Sequence, residues 1–151
     1  MQVAGALVGA GTPWVRSTAA RQGRQAEILI RGGWLHDGSG AAATLGDVAI
    51  GGGRVLAVGQ LTGWTAARSI DASGKVVAPG FIDPHSHAAE SLVRKGLHSA
   101  EAVLAQGVTT LVVNPDGGGP VDLEAQRAAF RTLGLGVNVA PLVGHGSVRG
   151  T

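Results

Sequence analysis

The chain contains no cysteine and no tyrosine, and its aromatic residues are three tryptophans and two phenylalanines. Without cysteine there are no disulfides and no thiolate metal sites, so any bound metal must rely on imidazole and carboxylate ligands. So few aromatic rings offer no stacking platform for nucleic-acid bases. A net charge of only +2 adds no strong field for a phosphate backbone. Nucleic acid is therefore not an expected partner. No apolar run approaches the ~20 residues that a helix needs to cross a bilayer, and no membrane partner is expected either. Charged residues make up just 15%, but with 44% hydrophobic residues the composition is that of a folding chain.

What is present is 151 residues rich in glycine, 26 in all, many of them at turns. That length supports one modest domain with a core. It falls short of the ~250 residues of a complete (β/α)8 barrel. Residues 1–25 stand apart. A small, apolar opening is followed by Arg16, Arg21 and Arg24, the reverse of the charge order in a secretory signal. A poorly ordered amino-terminal arm and a cytoplasmic location are the expectations. Residues 26–77 read as short strands at 28–31, 47–50, 54–58 and 68–70, rich in β-branched residues and broken by glycine. Gly51-Gly52-Gly53 joins two strands and opens no helix, so it is not a phosphate cradle.

The chain is organised around Ala78-Pro79-Gly80-Phe81-Ile82-Asp83-Pro84-His85-Ser86-His87. A strand leaving the Pro-Gly turn puts His85 and His87 on one face, one pleat apart. Two imidazoles so placed suit a single divalent metal. They also fit two unrelated surface histidines near a turn. Beyond them the period changes. Ser99 caps a helix at 101–106 that ends at Gly107, and 108–113 is a β-branched run typical of a strand in a parallel sheet. Asp122 caps a second helix through Leu133, closed by Gly134, and 137–143 is a third strand. Alternating strands and helices indicate βαβ units, in which function gathers at the carboxyl ends of the strands. His85 with His87, then Asp116, then His145 fall at three successive ends.

His145 lies between two glycines, with Arg149 four residues on. This segment reads either as a substrate-carboxylate clamp, Arg149 binding in bidentate fashion, or as a structural loop with a solvent-facing arginine. Asp83 reads as a group that orients a neighbour, and His98 as a surface residue.

Several stretches together resemble the amidohydrolase superfamily: Ile28-Leu29-Ile30-Arg31-Gly32-Gly33, Gly53-Arg54-Val55-Leu56-Ala57-Val58-Gly59, Ile70-Asp71-Ala72-Ser73-Gly74-Lys75 and the Pro-Gly-Phe-Ile-Asp-Pro-His-Ser-His motif. Gln106-Gly107-Val108-Thr109-Thr110 and the segment 137–149 bring the resemblance nearest to the N-acyl-D-amino-acid deacylases. It implies an α/β fold, with residues 26–77 as half of a small β-sandwich. Residues 78–151 would then be the first three strands of a metal-dependent hydrolase barrel. It also implies a divalent metal, zinc being the expected ion, and a small-molecule amide substrate. In that branch the loop after the second strand carries a metal-binding cysteine in a Gly-Asn-Cys-Gly context. Here Asn114-Pro115-Asp116-Gly117 stands in its place, so the resemblance puts Asp116 at the ligand position, where it otherwise stabilises a turn.

The family's later histidines and its last-strand aspartate have no counterpart among the six residues after His145. The expectation is a fragment of an amidohydrolase acting on C–N bonds other than peptide bonds. It would be inactive alone, without an identified catalytic acid-base, and prone to self-association through an unpaired barrel edge. The alternatives are a cyclic-amide hydrolase fragment, hydantoinase- or dihydroorotase-like, and a non-catalytic half-barrel remnant.

Overall fold

The computed structural model describes residues 24–150, so nearly all of the amino-terminal arm lies outside the described residues. The described chain forms two compact units that meet at the Pro79–Gly80 link, two residues beyond the expected boundary.

The first unit is a five-stranded mixed sheet. Its strands are β1 (Gln25–Leu35), β2 (Thr44–Gly51), β3 (Arg54–Gly59), β4 (Thr65–Asp71) and the two-residue β5 (Val76–Val77). They run in the order β3-β2-β1-β4, with β5 also paired to β1. β2 and β3 form an antiparallel hairpin closed by Gly52 and Gly53, both at positive φ (+58° and +68°). Tight hairpin turns whose twist matches that of the strands need this conformation, and glycine reaches it without strain.

The pairing Leu29↔Ala49 turns those side chains to one face, where with Ala26 and Leu61 they form a buried cluster. Ile30↔Val48 and Ile28↔Ile50 point to the other face. There Ile30, Val48, Ile50, Val55 and Val58 line an apolar cavity of about 310 Å³. The sheet is thus apolar on both sides. Asp47 locks the bulge in β1 by accepting hydrogen bonds from the amides of Gly32 (2.9 Å) and Leu61 (3.3 Å).

The second unit alternates strands and helices as the sequence implied. β6 (Phe81–Ser86), β7 (Val108–Val113) and β8 (Asn138–Pro141) form a parallel sheet in that order. Between β6 and β7 lie two single-turn helices, α1 (Ala89–Leu92) and α2 (Glu101–Leu104). The longer α3 (Leu123–Leu133) joins β7 to β8, and α4 (His145–Arg149) follows β8. The core gathers Leu92, Ala100, Leu111, Val113, Phe130 and Val137. The fold class is α/β, as expected.

Local readings differ in three places. Ser99 does not cap α2. The cap position is Ala100, in left-handed conformation (φ 52°), and no side chain serves it. The reason is a competing contact: Gly136 donates to the His98 carbonyl at 3.0 Å, and the Ser99 backbone packs directly on Gly136. The third strand, Asn138–Pro141, is shorter than the expected 137–143, although the Leu142 amide still donates to the Val113 carbonyl of β7 at 3.0 Å. His145, expected in a loop, opens α4.

Candidate metal centre

β6 sits at the edge of its sheet, which is why it tolerates Pro84 in mid-strand. The Asp83 carboxylate accepts a hydrogen bond from the His85 amide at 3.0 Å, and the Ser86 hydroxyl accepts one from the Ala88 amide at 3.3 Å. These local bonds fix the backbone as it leaves the strand. His85 ends up at the close of β6 and His87 just beyond it, with ring centroids 5.4 Å apart and planes tilted by 57°.

Asp116 approaches from the turn that follows β7. One carboxylate oxygen lies 3.4 Å from His85 Nε2, the other 3.2 Å from His87 Nε2. Donor atoms of the three residues fall within 4.8 Å of one another, and all three side chains are exposed. The donor set fits a zinc-like ion. Tetrahedral ligands at ~2.0–2.1 Å from a common centre are separated by roughly 3.3 Å, close to the nitrogen–oxygen distances found here. Two neutral imidazoles and one carboxylate leave further coordination positions open, as a reactive metal site requires.

The other predicted residues lie elsewhere. His145 is the first residue of α4, Arg149 the last, and both are exposed. Neither belongs to the three-donor cluster among the described residues. The link between them and the cluster is backbone: the Gly117 carbonyl, next to Asp116, accepts from the Gly146 amide at 2.8 Å and the Ser147 amide at 3.4 Å. Glycine at 144 permits this contact, since a Cβ there would lie 2.7 Å from the Gly118 backbone. His98, expected at the surface, is half-buried, and its Nδ1 has no hydrogen-bond partner.

Sequence reasoning missed Asn114 and Gln126. They form a reciprocal amide pair behind the Asp116 turn. A signal was available: Asn114 ends an apolar strand directly before a Pro-Asp-Gly turn, a place where a side-chain amide often satisfies loop backbone.

The chain is similar in sequence and fold to known proteins. An N-acyl-D-glutamate deacylase of Alcaligenes xylosoxydans xylosoxydans is 38% identical over 147 residues, covering 82% of this chain and 29% of that protein. The solved structure of the Bordetella bronchiseptica N-acyl-D-glutamate deacylase, complexed with zinc and a phosphonate inhibitor, superposes with a TM-score of 0.72 at 35% identity. It covers 83% of this chain and 31% of its own. The L-hydantoinase of Arthrobacter aurescens gives a TM-score of 0.59 at 25% identity, over 76% of this chain and 27% of its own. The chain therefore spans about three tenths of the length of these relatives. Residues 68–142 match the model of the amidohydrolase family. With this match and these relatives around a His-x-His strand end, the chain is similar to the amidohydrolase family and, within it, to the N-acyl-D-amino-acid deacylases.

Proposed function

We propose that this chain supplies the metal-binding strand ends of a hydrolase that cleaves the amide bond of N-acyl-D-amino acids. The observation that carries the reading is the convergence of His85, His87 and Asp116 at the carboxyl ends of two adjacent parallel strands. His85 and His87 would hold a divalent ion, zinc in the first instance, through Nε2, and Asp116 would hold it through its carboxylate. Such an ion acts as a Lewis acid and acidifies water near neutral pH. Asp83 keeps the His85 backbone in place, and the open side of the cluster leaves room for a substrate carbonyl.

His145 and Arg149 are proposed to engage the substrate carboxylate, Arg149 through its planar pair of donors. The hydrogen bonds between the two loops support this pairing of roles. The architecture that accompanies this reading is the opening of a (β/α)8 barrel in residues 78–151. It is preceded by half of a β-sandwich in 26–77 and an arm at 1–25. The apolar second face of the first sheet supports the sandwich.

Calorimetric titration of zinc into the full chain and into the His85→Ala/His87→Ala double variant tests the core of the proposal. Binding by the wild type that is lost in the double variant is expected; equal affinity in both would sink it. A cyclic amide is the second reading, favoured by the hydantoinase likeness and by a carboxylate where deacylases carry cysteine. Side-by-side assays with N-acyl-D-amino acids and hydantoins separate the two. Because no side chain among the described residues is an identified proton donor to the leaving amine, the 151-residue chain alone is expected to turn over neither. Turnover abolished by a chelator and by His85→Ala would show that expectation to be wrong.

A further inference from the structure

The Asp116 carboxylate contacts His85 and His87, the groups with which it would share a cation. Its aim is therefore set by the backbone that carries it. That backbone is unusual: Asn114 (φ 63°), Asp116 (φ 61°) and Gly117 (φ 74°) all adopt left-handed conformations within four residues. Such a turn needs an anchor to keep one shape.

The anchor is Asn114. It is 8% exposed, and its Nδ2 donates to Gln126 Oε1 at 2.9 Å and to the Leu142 carbonyl at 3.0 Å. Its Oδ1 accepts from Gln126 Nε2 at 3.2 Å. Both amide protons of Asn114 are thus used, on two different elements: Gln126 on α3, and Leu142 just past β8. Gly119 closes over the pair, because any Cβ there would come within 2.8 Å of Asn114 Cβ. A left-handed backbone alone asks only for glycine or asparagine at this position. It does not ask for a buried, fully bonded amide facing a second amide.

We propose that the Asn114–Gln126 pair is a positioning device that holds the Asp116 carboxylate in register with His85 and His87 for a divalent cation. The proposal rests on the metal-binding reading above. Neither residue touches the cation. Each acts through the turn, as partners behind metal ligands do when they tune affinity by ~10–100-fold.

The test is zinc titration by calorimetry on the full chain, with the thermal midpoint of every variant recorded alongside. Asn114→Gly retains the left-handed backbone and removes the amide; Gln126→Ala removes the partner and leaves the turn's own sequence intact. Phe130→Leu, in the core of the same unit, is the control for general destabilisation. Both amide variants are expected to bind zinc ~10–100-fold more weakly. The Asn114→Gly/Gln126→Ala double variant should be no weaker than the worse single, since the two act as one unit. Phe130→Leu should bind as the wild type does even with a lower midpoint. Should Asn114→Gly fail to fold, Gln126→Ala decides alone. Wild-type affinity in the amide variants overturns the proposal, and so does an equal weakening in Phe130→Leu. Zinc binding that survives in His85→Ala/His87→Ala is a separate result, which removes the metal reading and the positioning role together.

Discussion

Asp122 accepts hydrogen bonds from the amides of Glu124 and Ala125 at 3.0 and 3.1 Å, satisfying two of the donors that open α3. Glu124 in the first turn and Arg131 in the last complement the helix dipole, and the two side chains also form an ion pair. Asp122→Ala should cost about 1 kcal/mol, read as a lower midpoint in chemical denaturation. No loss of stability would mean that the cap is replaced by water without penalty. Asp71 offers a pH-dependent counterpart. The Ser73 hydroxyl, and then the Ser73 amide, hold its carboxyl below the usual carboxylate range. A lowered folded value means a contribution present above the ordinary carboxyl pKa of ~3.9 and lost as pH falls through the folded value. The stability gap between wild type and Asp71→Asn should therefore persist at neutral pH and close in strong acid. A gap unchanged down to pH ~2 would contradict this assignment. Asp71 is fully exposed, so the gap should be small and salt-sensitive.

At the scale of elements, what the sequence revealed was what depends on local pattern. The β-branched run of β7 matches its strand residue for residue, and α3 lies between the capping Asp122 and the left-handed Gly134, as its end signals imply. For the histidines the alternating-strand reading reaches only His85, which lies within β6; His87 follows the strand's end, and its ring stands 5.4 Å from that of His85 as the chain leaves the sheet. Of the short helices, α2 was legible in position, within the expected 101–106, but not in its cap, and α1 and α4 were not legible. α2 lacks a side-chain cap because tertiary contact holds Ser99 against Gly136, and no local pattern records that contact. The Asn114–Gln126 pair spans 12 residues and Asn114–Leu142 spans 28, so neither follows from spacing. The close approach at Gly136 yields its own prediction. A Cβ at 136 would sit 2.0 Å from the Ser99 carbonyl oxygen, a backbone atom that cannot swing aside. Gly136→Ala should destabilise by about 1–3 kcal/mol, the usual cost of forcing extra volume into a packed contact. Gly118→Ala, with nothing within 4 Å of the added carbon, should be near neutral in the same denaturation experiment. Equal effects would show that the Ser99 segment yields freely.

On the scale of the whole molecule, each unit presents surfaces of a kind that folded proteins seldom leave uncovered. The first sheet is apolar on both faces. In the second unit, β6 and β8 each have an unpaired edge, and a purely parallel sheet is ordinarily covered on both sides. Phe81 and Ile82 on β6 are 65% and 64% exposed. Prolines at 84 and 141 remove one amide from each edge, which blunts strand addition without preventing apolar contact. Exposed aliphatic and aromatic side chains beside open backbone favour association with another chain, and in a pure solution the available partner is a second copy. The full chain is therefore expected to self-associate, with an apparent mass by light scattering that rises with concentration. Ile82→Lys places a charge at that edge, away from the His85–His87–Asp116 cluster, and should shift the distribution towards monomer. A wild-type chain that stays monomeric at high concentration and melts in one sharp transition would show that these surfaces are covered within the chain itself.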